Sequence, residues 1–427
     1  MAQARKVAII GGARTPFARS NTAYATQSNM AMLTASLKGV VDKYQLHGEA
    51  LGEVAAGAVL KHSRDFNLTR EAVLSSGLAP ETSAFDVQQA CGTGLEAAIA
   101  IGNKIALGQI DSGIAGGVDT TSDAPIAVND KLRKILLEAN RAKTTGQKLA
   151  AIAKIRPSML APATPTNGEP RTGKSMGQHC EMMAQEWGIS RQDQDLLAFQ
   201  SHQKAANAYD AGFYSDLLVP FSGLKQDNNL RTNLTLEKLA SLGLAFDKTS
   251  GKGTLSAGNS TPLTDGASAV LLGSDAWAKA HGLKVQAYLT HCETAAVDFV
   301  GKKEGLLMAP AYAVPRMLDR AGLTLQDFDF YEIHEAFAAQ VLCTLNAWES
   351  KAFCKDRLNR SSPLGRIDRD KLNIRGSSLA LGHPFGATGG RILATLAKII
   401  DEAGGGRGLI SICAAGGVGV TAIVERS

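Results

Sequence analysis

Several residue types and patterns are scarce in this chain, and each shortage excludes something. Aromatic residues make up only 5% of its 427 residues, and none falls among the charges between Lys131 and Lys174. The stacking platform that single-stranded nucleic acid requires is therefore missing where the chain is most basic, and nucleic acid is not an expected partner. Six cysteines (Cys91, Cys180, Cys292, Cys343, Cys354 and Cys413) are scattered without any Cys-x-x-Cys spacing. That pattern indicates neither a zinc site nor a disulfide framework, and it suits a reducing compartment. No apolar run is long and uninterrupted enough to span a bilayer. Met1 to Arg5 lead straight into Val7-Ala8-Ile9-Ile10, which reads as a first strand rather than a signal peptide. A cytoplasmic protein is expected.

What is present in quantity is glycine, 44 residues of it, in a chain that is 44% hydrophobic. A large α/β enzyme of two or three structural units fits that balance. The net charge of +5 is unevenly spread. Between Lys131 and Lys174 ten basic residues face only Glu138 and Glu169, an excess of +8 that leaves −3 for the rest. Leu132, Ile135, Leu136 and Ala139 follow helical spacing within this segment, and Leu149, Ile152 and Ala153 begin a second helix. A basic, amphipathic segment 131–174 suits a membrane surface, an anionic ligand or a partner subunit; a solvated face packed on its own protein is the plainer alternative.

Short apolar strands alternate with helical stretches and glycine turns up to about Asp123, as in a sheet with crossover helices. A polar, proline-punctuated region follows from Ala124 to about Gly251, helical at Met183 to Trp187 and Leu196 to Ala208. Strand patterns return at Thr254-Leu255-Ser256 and Ala269-Val270-Leu271-Leu272, and a second alternating unit runs from about Val285. The predicted domains are 1–123 completed by 252–283, an inserted loop domain at 124–251, and 284–427. The two strand-rich units resemble each other. Cys91-Gly92-Thr93-Gly94-Leu95 opens a long apolar helix, and Phe385-Gly386-Ala387-Thr388-Gly389-Gly390 opens another. Ile114-Ala115-Gly116-Gly117-Val118 is likewise echoed by Cys413-Ala414-Ala415-Gly416-Gly417-Val418. Helices apolar nearly all round belong in the middle of a domain, where two of them could pack between sheets and bring their N-termini together.

Cys91 would sit where a strand turns into a helix, near unpaired backbone N–H groups and the positive end of the helix dipole, both of which favour a thiolate. A buried structural cysteine is the alternative. His383, in Leu381-Gly382-His383-Pro384-Phe385-Gly386, could take a proton from such a thiol. Cys413 follows the strand-like Gly408-Leu409-Ile410-Ser411-Ile412, and its sulfur could face a cavity. His334, in Glu332-Ile333-His334-Glu335-Ala336-Phe337, is the third candidate. Structural roles for all of these remain open at this level.

Together these segments resemble the thiolase family. The motifs are Ala90-Cys91-Gly92-Thr93-Gly94, His334-Glu335-Ala336-Phe337-Ala338, Gly382-His383-Pro384-Phe385-Gly386-Ala387-Thr388-Gly389 and Cys413-Ala414-Ala415-Gly416-Gly417, in the family's order. Ser201-His202-Gln203-Lys204-Ala205-Ala206 and Ala257-Gly258-Asn259-Ser260-Thr261-Pro262-Leu263-Thr264-Asp265-Gly266 support them. The resemblance implies a duplicated five-layered α/β/α/β/α core with an inserted loop domain. It also implies reversible thiolytic cleavage of a 3-oxoacyl-CoA by coenzyme A, with no metal or redox cofactor. Cys91 would carry the acyl group, His383 would activate it, and Cys413 would be the second acid and base. His334 and His383 would serve one thioester oxygen, and the N–H groups of Cys91 and Ala415 the other. Arg231, Ser260, Thr261, Met176 and Phe337 match positions that bind CoA or line its channel.

Two departures refine the resemblance. Many thiolases have Asn at the position of His334 and Gly at that of Ala415; the forms here look like the β-subunit of the fatty acid β-oxidation multienzyme complex. That implies a homodimer or homotetramer, with a hydratase/dehydrogenase subunit as a candidate partner. A short-chain acetyl-CoA acetyltransferase is the alternative within the family. A decarboxylating condensing enzyme and a noncatalytic acyl-CoA or lipid carrier are the alternatives outside it. Whether His334 holds a water for the oxyanion or replaces it is undecided by the sequence.

Overall fold

The computed structural model describes residues 4–427. The chain opens with β1 (Val7–Arg14), the two-residue β2 (Ala18–Arg19), α1 (Asn29–Tyr44), β3 (Glu53–Ala56), α2 (Leu68–Leu74), β4 (Ser83–Asp86), α3 (Thr93–Ala106) and β5 (Ser112–Asp119). Five helices come next: α4 (Asp130–Arg141), α5 (Thr145–Ile152), α6 (Met176–Glu186), α7 (Arg191–Asp210) and α8 (Leu236–Ala240). Then follow β6 (Thr264–Gly273), α9 (Asp275–Ala280), β7 (Ala287–Ala296), α10 (Ala309–Ala321), β8 (Phe330–Ile333), α11 (Ala338–Glu349) and α12 (Lys351–Asp356). The chain closes with α13 (Ser378–Leu381), α14 (Thr388–Glu402), β9 (Gly406–Ala414) and β10 (Val418–Arg426).

Hydrogen bonding orders the strands β4-β3-β5-β6-β1-β7-β10-β9-β8. Two copies of one pattern meet at β1 and β7, which share only three residue pairs. In the first copy β4, β3 and β5 run parallel, β6 pairs antiparallel with β5, and β1 pairs antiparallel with β6. In the second, β8 runs parallel to β9, β10 pairs antiparallel with β9, and β7 pairs antiparallel with β10. An isolated parallel bridge from Tyr331 to Leu372 stands where the first copy has β4. The sequence echo between the two units is thus an echo of topology.

Both faces of each half need cover, because nearly every residue of β1, β5 and β6 is buried. The apolar helices α3 and α14 pack against each other between the halves. Helices α1 and α2 cover the outer face of the first half, and α10 that of the second. Each fully buried Leu or Ile in α3 and α14 contributes about 1.5–3 kcal/mol of apolar burial. The two helix starts approach so closely that a Cβ on Gly94 would lie 2.7 Å from the amide nitrogen of Gly390. Cys91 and His383 are brought together by this approach.

Two local expectations fail. Thr254-Leu255-Ser256 forms no strand, because the N–H groups of Thr254 and Leu255 donate to the Glu181 carboxylate at 2.8 and 3.0 Å instead. Leu149 and Ile152 close α5 rather than begin a helix, since Thr144 and Gln147 form a capping box four residues earlier than expected. In the basic segment, α4 and α5 pack on each other. Ile135 and Ala139 are buried there, while Leu136, Leu137, Leu149 and Ile152 are exposed. No helix among the described residues is long and apolar enough to cross a membrane.

Candidate functional site

Between β4 and α3 the chain reverses through Ala90, whose φ of 47° is left-handed. Thr93 Oγ1 holds this turn by accepting from the Gln89 N–H at 2.9 Å and donating to the Ala90 carbonyl at 2.7 Å. Cys91 sits at the crest, with its own N–H and that of Ala415 directed at the sulfur. Burial nevertheless dominates and pushes the thiol up to about 12, the two N–H groups opposing it and the Asp119 carboxylate adding to it. Desolvation thus opposes the helix-end donors and favours the thiol over the thiolate expected from position alone.

His383 comes from the second copy. Gly382 precedes it at φ +103°, a conformation that favours glycine. The His383 N–H donates to Thr264 Oγ1 at 2.7 Å. Three residues on, the Gly386 N–H donates to Asp119 at 2.7 Å; the same carboxylate accepts from Val59 and Leu60. So anchored, His383 places Nε2 3.1 Å from Cys91 Sγ and Nδ1 2.5 Å from Thr388 Oγ1. Burial, aided by the Arg391 charge, lowers its pKa to about 3. Both shifts favour a neutral imidazole hydrogen-bonded to a neutral thiol.

His334 follows β8 directly. Asn373 brackets the strand end, accepting from the Ile333 N–H and donating to its carbonyl, each at 2.9 Å. The His334 ring lies 4.2 Å from that of His383, centre to centre, and its Nδ1 is 2.8 Å from Ser378 Oγ. Burial first, then the neighbouring His383 and Arg391, hold it well below the ordinary histidine range. Cys413, at the end of β9, is fully buried, and burial, followed by the proximity of the Cys91 sulfur, keeps its thiol well above the usual value. Beyond Ala415, the Gly416 N–H donates to the Glu169 carboxylate at 2.7 Å, so a residue of the basic segment secures this turn.

Donor atoms of Cys91, His334 and His383 lie within 4.8 Å of one another, a spacing a metal ion could also span. Their hydrogen bonds suit proton transfer instead, since His383 Nε2 engages Cys91 and both Nδ1 atoms engage hydroxyls.

A cavity of about 240 Å³ has Leu379, the neighbour of Ser378, in its wall, but none of Cys91, His334, His383 and Cys413. Arg231, Ser260 and Thr261 line it together. Thr261 donates from both N and Oγ1 to the Ala336 carbonyl, at 3.1 and 3.0 Å. Met176 and Phe337 are not in its walls: Phe337 packs edge-on against the lining Phe246 at 5.9 Å, and Met176 is half-buried against the C-terminal core.

Sequence reasoning assigned no role to His202, which lines this cavity and accepts the Arg231 N–H at 3.2 Å, although its motif was visible. Thr264 and Thr388 also lay inside visible motifs. Asp119, Ser378, Arg391 and Glu169 carried no local signal, because each acts across chain distances that no spacing reveals.

Residues 7–276 match the family model described as thiolase, N-terminal domain, and residues 283–426 match thiolase, C-terminal domain. The chain is 40% identical to a 3-ketoacyl-CoA thiolase of Shewanella sp. (strain W3-18-1), over 99% of this chain and 98% of that one. Its fold is similar to that of the Bacillus anthracis acetyl-CoA acetyltransferase, with a TM-score of 0.82 and 26% identity over all of both chains. It is also similar to human mitochondrial 3-ketoacyl-CoA thiolase in complex with CoA, with a TM-score of 0.81 and 26% identity over 99% of this chain and 98% of that one.

Proposed function

The chain belongs to the thiolase family of acyltransferases, and from that premise we propose that it cleaves 3-oxoacyl-CoA with a second coenzyme A through an acyl-enzyme at Cys91. The observation that carries this reading is the 3.1 Å contact between Cys91 Sγ and His383 Nε2, with the Ala415 N–H directed at the same sulfur. As the substrate's 3-oxo carbon is attacked, the Cys91 proton passes to His383 and the sulfur bonds to that carbon. The C2–C3 bond then breaks, acetyl-CoA leaves as its carbanion, and the Cys413 thiol protonates it. In the second half, the Cys413 thiolate takes the proton of the incoming CoA thiol. The CoA sulfur displaces Cys91, which recovers its proton from His383. Charge develops on an oxygen in both halves; the N–H groups of Cys91 and Ala415 serve the acyl oxygen and the histidines serve the CoA thioester oxygen. The acid and base work is assigned to these side chains, with no metal or redox cofactor.

The full-length likeness to 3-ketoacyl-CoA thiolases supports a degradative role in fatty acid β-oxidation. The structural likeness to an acetyl-CoA acetyltransferase supports the alternative, turnover of acetoacetyl-CoA. CoA would enter by the cavity at Arg231, Ser260 and Thr261, with Met176 and Phe337 behind its wall; the chain divides at 124–251 and 284. The proposed assembly is a homodimer or homotetramer in the cytoplasm. The α4–α5 hairpin, with Leu137 and Leu149 exposed among its basic residues, would face a hydratase/dehydrogenase subunit or an anionic membrane. Activity toward 3-oxoacyl-CoA of graded chain length tests the substrate: rising kcat/KM beyond four carbons supports the degradative reading, and activity confined to acetoacetyl-CoA supports the alternative. Full activity in Cys91→Ser would overturn both.

A further inference from the structure

We propose that Arg391, acting through Ser378, fixes His334 as the tautomer that carries its proton on Nε2, so that this imidazole donates directly to a substrate oxygen. The proposal rests on the thiolytic reading and assigns two positioning residues behind its catalytic histidines.

Arg391 is a fully buried cation on α14. Its two terminal nitrogens donate to Ser377 Oγ at 3.1 Å and Ser378 Oγ at 2.6 Å. A guanidinium has donors only, so both hydroxyl oxygens are acceptors toward it. Ser378 Oγ then has one hydrogen to give, and the acceptor within reach is His334 Nδ1 at 2.8 Å. With Nδ1 accepting, a neutral imidazole must carry its proton on Nε2. No group among the described residues partners that Nε2, although His334 is completely buried. An unpaired buried N–H is costly unless something arrives to accept it. The reverse tautomer would leave the Ser378 hydrogen without an acceptor and present a bare lone pair on Nε2. That lone pair would repel an incoming oxygen and compete with His383 for the Cys91 proton.

The neighbouring ring has the complementary form. Thr388 Oγ1 donates toward the Pro384 carbonyl at 3.4 Å and so accepts from His383 Nδ1. Nε2 of His383 is left free to receive the thiol proton. Two rings 4.2 Å apart thus hold opposite tautomers, one a base and one a donor. Burial, with the Arg391 charge adding to it, disfavours a second proton on either ring, so the two functions do not interchange. A neutral donor at His334 also avoids placing a second full charge beside the imidazolium that His383 becomes.

Histidine ring 15N shifts distinguish the two tautomers without any turnover. In enzyme labelled at histidine, the signal that disappears in His334→Asn should show an unprotonated Nδ1 and a protonated Nε2. A protonated Nδ1 on that residue would overturn the proposal. Ser378→Ala should lower kcat for acetoacetyl-CoA cleavage about 10–100-fold while KM for CoA stays nearly constant, the pattern of an interaction made in the transition state. Unchanged kcat would overturn it as well. If wild-type enzyme cleaved no 3-oxoacyl-CoA at all, the thiolytic reading would fail instead, whatever the 15N shifts show.

Discussion

Cys91 and His383 stand 292 residues apart in the chain, yet their Sγ and Nε2 atoms meet at 3.1 Å. Burial raises the thiol to about 12 and lowers the imidazole to about 3. Both shifts favour an un-ionised pair in the free enzyme, with the proton moving as the carbon–sulfur bond forms. Iodoacetamide labelling of Cys91 should keep rising with pH beyond the ordinary thiol value of 9.0. A plateau near neutral pH, measured by peptide mapping, would mean that a thiolate pre-exists.

His202 provides a stability test outside the catalytic pair. Burial, followed by the Arg231 charge, lowers its pKa from 6.5 to about 4. Between those values the unfolded chain binds a proton that the folded chain refuses, so this histidine contributes a stability that rises with pH. Its contribution is complete above pH 6.5 and is lost as the pH falls toward about 4. His202→Gln should flatten the decline of Tm over that window; an unchanged slope would show that His202 is not buried as described.

The meeting of the two central helices leaves no space for a side chain. A Cβ on Gly389 would overlap the Leu95 amide, and one on Gly94 would lie 2.8 Å from the Gly386 carbonyl oxygen. Gly389→Ala should cost at least about 1–3 kcal/mol, the range for overpacking a dense core. Urea unfolding reads this directly, and catalysis should fall with it, because the same approach sets the Cys91–His383 distance.

Glu169 ties the basic segment to the turn that carries Ala415. Removing its carboxylate frees the exposed Gly416 turn from the basic segment, whereas an amide oxygen can replace the acceptor. Glu169→Ala should lower kcat about tenfold and Glu169→Gln much less, since a loosened oxyanion donor loses part of its effect. Equal rates for the two variants in acetoacetyl-CoA cleavage would show that the contact is incidental.

The division between what the sequence disclosed and what it hid follows from chain distance. Cys91, His383 and Cys413 were legible because each lies in a short glycine-bearing turn joined to a strand or helix, and such turns have local signatures. The duplicated halves were legible for the same reason. Thr388 was in view within its motif but without a role. Asp119 and Arg391 were hidden because a buried charge on a strand or central helix contradicts the apolar pattern without indicating what it will meet. The desolvation that opposes a Cys91 thiolate was out of view, because a helix end is local and burial is not. Thr254 to Ser256 were misread because the Glu181 carboxylate, more than seventy residues away, takes the amides that a strand partner would have used.

The most direct test of the central claim is the identity of the acylated residue. Enzyme quenched during turnover of a 3-oxoacyl-CoA at limiting CoA should yield a Cys91 peptide heavier by the shortened acyl group. Excess CoA should then release that group as acyl-CoA. Continued turnover with no acyl group on Cys91, or with the group on another cysteine, would contradict the account.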